Sequence, residues 1–149
     1  MQYKDINTHF IVEKFLGDDN DNLPEDYKFY CMNGRCEFIM VCIGRDEHGH
    51  GACYEFFDRD WNQITETTEM EKSGFEKPKL LDKAIWYAET ISRDFPFVRV
   101  DLYIFKEEII FGEMTFTPAA GMDIDFLKTV IGANEDIDHV YGRKLSINK

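Results

Sequence analysis

The pair Asn33-Gly34 sits between two runs rich in aromatic and β-branched residues, Tyr27 to Met32 and Arg35 to Ile43. No other segment restricts the fold as strongly. Both central positions of a type I′ turn need positive φ, which Asn and Gly tolerate, and the twist of that turn matches the twist of the strands it joins. The spacing predicts a tight antiparallel hairpin, and a sheet must then be built around it.

The remaining segments supply that sheet and one helix. His9 to Leu16, HFIVEKFL, reads as a strand closed by Gly17 and the acidic loop Asp18 to Asp21. Arg45 to Gly51 reads as a loop entering a short strand, Ala52 to Phe57, and Asp58 to Gly74 as a long polar connection anchored by Trp61. After Pro78 the apolar residues Leu80, Leu81, Ala84, Ile85, Ala88 and Ile91 recur at helical spacing. An amphipathic helix over Lys79 to Arg93 follows, ended before Pro96, with Trp86 and Tyr87 assigned to core packing. Two further strands, Phe97 to Phe105 and Ile109 to Phe116, precede a turn at Pro118 to Gly121. A short helix from about Asp125 to Ile131 comes next, and the tail after Gly132 is weakly patterned. The order of elements predicts an α+β domain, a largely antiparallel sheet packed on one main helix.

With 149 residues the chain is the size of one domain, and its 44% hydrophobic and 15% aromatic content excludes a disordered acidic tail. Seventeen Lys and Arg against 29 Asp and Glu give a net charge of −12, which opposes nonspecific binding to nucleic acid or anionic lipid. A polyanionic ligand would need a bound cation or a local basic pocket. No apolar run reaches the roughly 18 to 20 residues of a membrane span, and Met1 to Asn7 lacks the basic and apolar parts of a signal peptide. A cytoplasmic location is the default expectation. Cys31, Cys36, Cys42 and Cys53 form no CxxC and have no His at zinc-ligand spacing, so they read as reduced, buried thiols.

The chemistry concentrates in Phe97 to Met122, FVRVDLYIFKEEIIFGEMTFTPAAGM. Alternation along a strand turns Val98, Val100, Leu102 and Ile104 one way and Arg99, Asp101 and Tyr103 the other. In the second strand Ile110, Gly112, Met114 and Phe116 share one face, and Phe111, Glu113 and Thr115 the opposite one. A three-residue loop at Lys106 to Glu108 would pair Phe105 with Ile109, placing Asp101 opposite Glu113 and Arg99 opposite Thr115. Facing carboxylates destabilise a sheet by roughly 0.2 to 1 kcal/mol. A hard cation such as Mg²⁺, which takes one or two carboxylates together with phosphate oxygens, would account for the pair, and Arg99 could stabilise a reacting phosphoryl group. The plainer alternative is a solvated face on which Arg99 neutralises the acids.

RVDLY followed by FGEMTFTPAAGM resembles the carboxy-terminal metal-binding signature of the TupA-like ATP-grasp family. HFIVEKFLG resembles the hinge strand that receives adenine in that superfamily, and DYKFYCMNGRCEFIMV resembles the strand pair that follows it. The resemblance implies that Asp101 and Glu113 are magnesium ligands and that Arg99 contacts phosphate or the reacting acyl group. Thr115 stands where many relatives have Asn as a further ligand, which leaves a second metal in question. Glu13, Lys14, Phe15 and Leu16 would bracket adenine, Asp26 would hold the ribose hydroxyls, and Lys28 on the same face could approach phosphate. In the same terms the chain corresponds to the carboxy-terminal half of an ATP-grasp domain, residues 1–149 running from hinge strand to metal-binding hairpin. The amino-terminal subdomain, with its lysines and glycine-rich flap, would be missing.

For a complete relative, the resemblance implies ATP and Mg²⁺ as cofactors and acyl-phosphate ligase chemistry in cell-surface polysaccharide biosynthesis. The substrate would be an unidentified carboxylate or sugar, and the partner a complementing subdomain or a second copy. Two other readings stay open: a noncatalytic acidic module that keeps the fold and binds a metal or partner, and a metal-dependent glycosyltransferase. Arg45, Asp46, His48 and His50 lie in a loop of the kind that could meet an acceptor, although no motif surrounds them.

Overall fold

Asn33 and Gly34 adopt φ values of 54° and 79°, the left-handed pair that a type I′ turn requires. They join β1 (Asp26–Met32) to β2 (Arg35–Ile43), in the computed structural model of the chain, which describes residues 7–17, 23–44, 53–64, 75–121, 130–131 and 135–146. Gly34 is also confined by a neighbour: a Cβ there would lie 3.1 Å from the Cα of Arg93, just past the helix. The hairpin tip and the helix end therefore pack backbone to backbone.

Three more strands extend the hairpin into an antiparallel sheet. These are β3 (Cys53–Asp58), β4 (Phe97–Phe105) and β5 (Glu108–Thr115), in the order β3-β2-β1-β4-β5. Helix α1 (Leu81–Ser92) covers one face, where Leu81, Ala84, Ile85 and Ala88 bury against Phe29, Ile39, Val98, Val100 and Leu102. The other face carries a second apolar cluster of Tyr30, Phe38, Met40 and Phe56, capped by Tyr141. Tyr141 comes from α2 (Ile137–Gly142), a short helix in the tail whose weak patterning gave no sign of it. The two-residue strands β6 (Val130–Ile131) and β7 (Glu135–Asp136) pair ahead of it.

The expected α+β architecture, with a mainly antiparallel sheet on one main helix, is therefore observed, with local corrections. His9 to Leu16 is not a strand. Phe10, Ile11 and Val12 are 95%, 84% and 94% exposed, and the segment joins no sheet among the described residues. Both edges of β1 are already taken by β2 and β4, so apolar content alone finds no ladder beside it. Trp86 is exposed rather than packed in the core, lying on the solvent side of α1, while Tyr87 does pack against the core. Trp61 anchors its connection as expected: its ring stacks on Phe57 at 4.1 Å and its Nε1 donates to the Phe75 carbonyl at 3.4 Å. The loops at Asp18 to Asp21 and Arg45 to Gly51, with His48 and His50, lie outside the described residues, as does most of the helix expected over Asp125 to Ile131. The last two residues of that span form β6 instead.

The β4–β5 hairpin departs from expectation in its turn and returns to it at the site. Phe105 pairs with Glu108, leaving only Lys106 and Glu107 in the turn, at φ 48° and 63°. That register alone would set Gly112 opposite Asp101. A β-bulge between Leu102 and Asp101 takes up one residue of β5, so that Asp101 pairs with Glu113 and Arg99 with Thr115 after all. The bulge also breaks the expected continuous face: Ile110 joins Tyr103, whereas Met114 packs towards the helix-side core.

Lys106 and Glu107 hold a left-handed conformation that costs ordinary L-residues roughly 1–2 kcal/mol each. Replacing the pair by Asn-Gly is expected to raise the stability by about 1 kcal/mol in urea denaturation, because those residues adopt type I′ angles with less strain. An unchanged or lower midpoint would show that the turn carries no such strain.

Candidate functional site

Strand β1 lies beside β4, and β4 beside β5, so their outward side chains form three rungs across the sheet. Asp26, Tyr103 and Ile110 make the first rung, Lys28, Asp101 and Glu113 the second, and Tyr30, Arg99 and Thr115 the third. Each residue is placed by the two-residue period of its strand, and the bulge aligns the last strand with the other two. A chain of acids and bases occupies the middle of this patch.

Lys28 Nζ donates to Asp26 Oδ2 at 2.6 Å and to Asp101 Oδ2 at 2.7 Å. Arg99 grips Asp101 with two nitrogens, Nε on Oδ1 and Nη2 on Oδ2, both at 2.7 Å. The same Nη2 donates to Glu113 Oε1 at 3.1 Å and to Thr115 Oγ1 at 3.2 Å, while the Thr115 hydroxyl donates to Glu113 Oε1 at 2.9 Å. Asp26 and Asp101 are each 2% exposed, whereas the Glu113 side chain is 64% exposed at the rim.

Burial pulls the Lys28 ammonium downwards, but the charges of Asp101 and Asp26 and their hydrogen bonds outweigh it and raise the group above its ordinary value. For Arg99, burial likewise works against the charge and is overcome by Asp101, with a further contribution from the Tyr30 hydroxyl. Both cations are therefore firmly charged, held in place by buried carboxylates.

A groove of about 690 Å³ opens over this patch, lined by Glu13, Lys14, Leu16, Asp26, Lys28, Asp101, Tyr103 and Glu113, with Ile110 to Gly112 along one wall. A smaller recess of about 260 Å³ adjoins it, formed by Glu13, Lys14, Phe15, Leu16, Leu23, Pro24 and Tyr103. Among the site residues read from the sequence, Glu13, Lys14, Leu16, Asp26, Lys28, Asp101 and Glu113 thus converge on one groove, and Phe15 on its neighbour. Arg99 and Thr115 join through hydrogen bonds to its acids. The segment holding Glu13 to Leu16 reaches the groove without being a strand.

A family model, TupA-like ATP-grasp, matches residues 1–137 of the 149. The chain belongs to the TupA-like ATP-grasp family. No curated protein and no solved structure shows a significant match.

The ATP-grasp family generally uses ATP and Mg²⁺, and the donor set can be tested against the ion. Among the described residues no three His, Cys, Asp or Glu gather closely enough to hold a metal, so the protein side of such a site would be the pair Asp101 and Glu113. Two carboxylates completed by water and phosphate oxygens suit Mg²⁺. Both oxygens of Asp101 already accept from Arg99 or Lys28. The residues of this ATP-grasp chain therefore fit the ion if the two cations are drawn off Asp101 by incoming phosphate. The Thr115 hydroxyl, at the end of the same network, is the only donor this chain offers at that position.

Tyr103 lines both recesses and Tyr30 stands beside Arg99, and neither was singled out from the sequence. Alternation does put Tyr103 on the Asp101 face, which was a usable signal. Nothing local to β1 indicates that Tyr30 would lie opposite Arg99, because that contact depends on which strands become neighbours.

Proposed function

We propose that this groove binds Mg-ATP, and that the chain supplies the nucleotide- and metal-binding half of an ATP-grasp ligase acting in cell-surface polysaccharide biosynthesis. One observation carries the reading: in a member of the TupA-like ATP-grasp family, Glu13, Lys14, Leu16, Asp26, Lys28, Asp101 and Glu113 line one cavity. The recess beside it, walled by Phe15, Leu16, Leu23, Pro24 and Tyr103, has the apolar lining suited to a flat base, with Glu13 available for polar contact. Asp26 supports Lys28 from below and could reach a ribose hydroxyl only at the groove floor.

In this reading Asp101 and Glu113 hold the ion, and Mg²⁺ when bound neutralises phosphate charge and orients the polyphosphate. Lys28 and Arg99, once released from Asp101, turn to the phosphate oxygens. Arg99 offers a planar fork that matches a phosphoryl group in two hydrogen bonds, and Lys28 a compact point charge. The reaction class is activation of a carboxylate as an acyl phosphate, followed by attack of a nucleophile from the acceptor. Further cationic residues over the phosphates would come from a second, amino-terminal type of subdomain.

A second reading is favoured by the ion network itself. Both oxygens of Asp101 are already engaged by its own Lys and Arg, which is what a structural, noncatalytic module would contain. Calorimetry separates the two. Mg-ATP is expected to bind weakly, at roughly −4 to −6 kcal/mol, with Glu113→Ala and Asp101→Ala binding about tenfold more weakly and losing their magnesium dependence. Equal binding by wild type and Glu113→Ala, or no nucleotide binding at all, would favour the noncatalytic module. A preference for a nucleoside diphosphate sugar over ATP would instead point to sugar transfer.

A further inference from the structure

We propose that Cys31 and Cys36 are a covalent modification site, forming a reversible cross-strand disulfide when the protein meets a peroxide. The two residues face each other directly across β1 and β2, one step from the Met32–Arg35 pair that closes the Asn33-Gly34 turn. In a two-residue hairpin the closing pair exchanges the ladder hydrogen bonds, so the next pair is of the non-hydrogen-bonded kind, which in a regular ladder brings Cα atoms to about 4.5 Å; a β-bulge adjoins the pair at Tyr30 and leaves Cys31 opposite Cys36. A disulfide accepts Cα separations of roughly 4.4–6.8 Å.

A second observation agrees with this assignment. The Cys36 N–H donates to Glu89 Oε1 at 3.2 Å, so it points off the ladder, and Arg59 holds that carboxylate in place at 3.1 Å. The two thiols are also unequal partners. Hydrogen bonding from Cys36, aided by Ser92, lowers the Cys31 thiol below its ordinary value despite burial, whereas the bond to Cys31 and burial push Cys36 up. With Cys31 as the attacking thiolate, Cys36 is the resolving thiol, and the cross-link is the same with the two exchanged.

The chemistry closes in two steps. The Cys31 thiolate attacks one peroxide oxygen, the O–O bond breaks, and the departing hydroxide takes up a proton to leave as water, so that Cys31 becomes a sulfenic acid. The Cys36 sulfur then attacks the Cys31 sulfur and displaces the hydroxyl, which leaves as a second water with the Cys36 proton. Two thiols lose two hydrogens and two electrons, and the peroxide is reduced to two waters. Both thiols are fully buried, so the reaction waits on opening of the hairpin tip and is slow in the native protein.

The other two cysteines serve as internal controls. Cys42 faces Asp26 and Tyr54, and Cys53 faces Ile43, so neither has a thiol across the ladder. The full chain, treated with hydrogen peroxide and then alkylated in denaturant, is expected to take up two alkyl groups where the untreated chain takes up four, and to take up the other two after reduction with dithiothreitol. Trypsin should release peptide 29–35 linked to peptide 36–45, with fragmentation placing the bond on Cys36 and not on Cys42. Cys31→Ser and Cys36→Ser should each abolish the link, and Cys42→Ser should leave it intact. A link through Cys42 or Cys53, or no link under conditions that convert methionine residues of the chain to the sulfoxide, overturns the proposal. Mg-ATP binding plays no part in either outcome.

Discussion

Asp101→Asn is expected to destabilise the protein by about 3–5 kcal/mol, whereas Glu113→Gln should cost under about 1 kcal/mol. The difference follows from where the two acids sit. Asp101 is buried between Lys28 and Arg99, whose side chains are themselves only 14% and 11% exposed, and it accepts three short hydrogen bonds from them. Neutralising it strands two desolvated cations with Asp26 as the remaining buried anion. Glu113 accepts from the same guanidinium, but from an exposed position where water can replace it. Urea denaturation of the two variants measures this contrast. An Asp101→Asn variant within 1 kcal/mol of wild type would mean that the network is a surface feature and that Asp101 has no buried charge to balance. Because Glu113→Gln folds like wild type in this account, it is also the variant in which loss of metal-dependent nucleotide binding can be read without a stability correction.

The contrast bears on how much of the site could be read from the sequence. Alternation within β4 placed Arg99 and Asp101 on one face, and the motif resemblance selected Glu113 and Thr115. Both inferences use only local spacing. The partnership of Lys28 with Asp101 depends on β1 pairing with a strand 73 residues away in sequence. Nothing within DYKFYCM specifies that neighbour. The same limit explains His9 to Leu16: its apolar run has strand propensity, but propensity finds no expression without a free edge, and in the sheet observed β1, β2 and β4 are paired on both sides while the outer edge of β3 is taken by its own chain at Asn62 to Ile64. Asn33-Gly34 was legible because a turn is a four-residue problem solved by the φ preferences of two residues. The Lys106-Glu107 turn was misread for the converse reason, since neither residue favours positive φ and the ladder imposes it. The helix was legible in its buried stripe but not in Trp86, whose size suggested the core. Its position, two residues on from Ala84, turns it some 200° away from that buried residue.

Gly112 is the point at which these local and distant constraints meet, and Gly112→Val is expected to cost about 1–3 kcal/mol while detaching the rim acid from its guanidinium. A Cβ at this position would come within 3.0 Å of the Asp101 carbonyl oxygen and 3.1 Å of the Tyr103 ring. The first contact is backbone, which cannot step aside as a flexible side chain would. Gly112 is required for close approach here, at the residue that the bulge inserts between Phe111 and Glu113. A branched side chain would push β5 away from β4 where Asp101 pairs with Glu113, lengthening the 3.1 Å contact from Arg99. The amides of β5 from Phe111 to Thr115 should then exchange hydrogen faster than in wild type, and by a larger factor than the amides of β1 and β2, which speed up only by the global loss of stability. The Asp101–Arg99 grip lies within β4 and should survive, so stability falls less than in Asp101→Asn. If Gly112→Val leaves both the urea midpoint and the β5 exchange rates unaltered, the strand accommodates bulk without moving, and the bulge is not what positions Glu113.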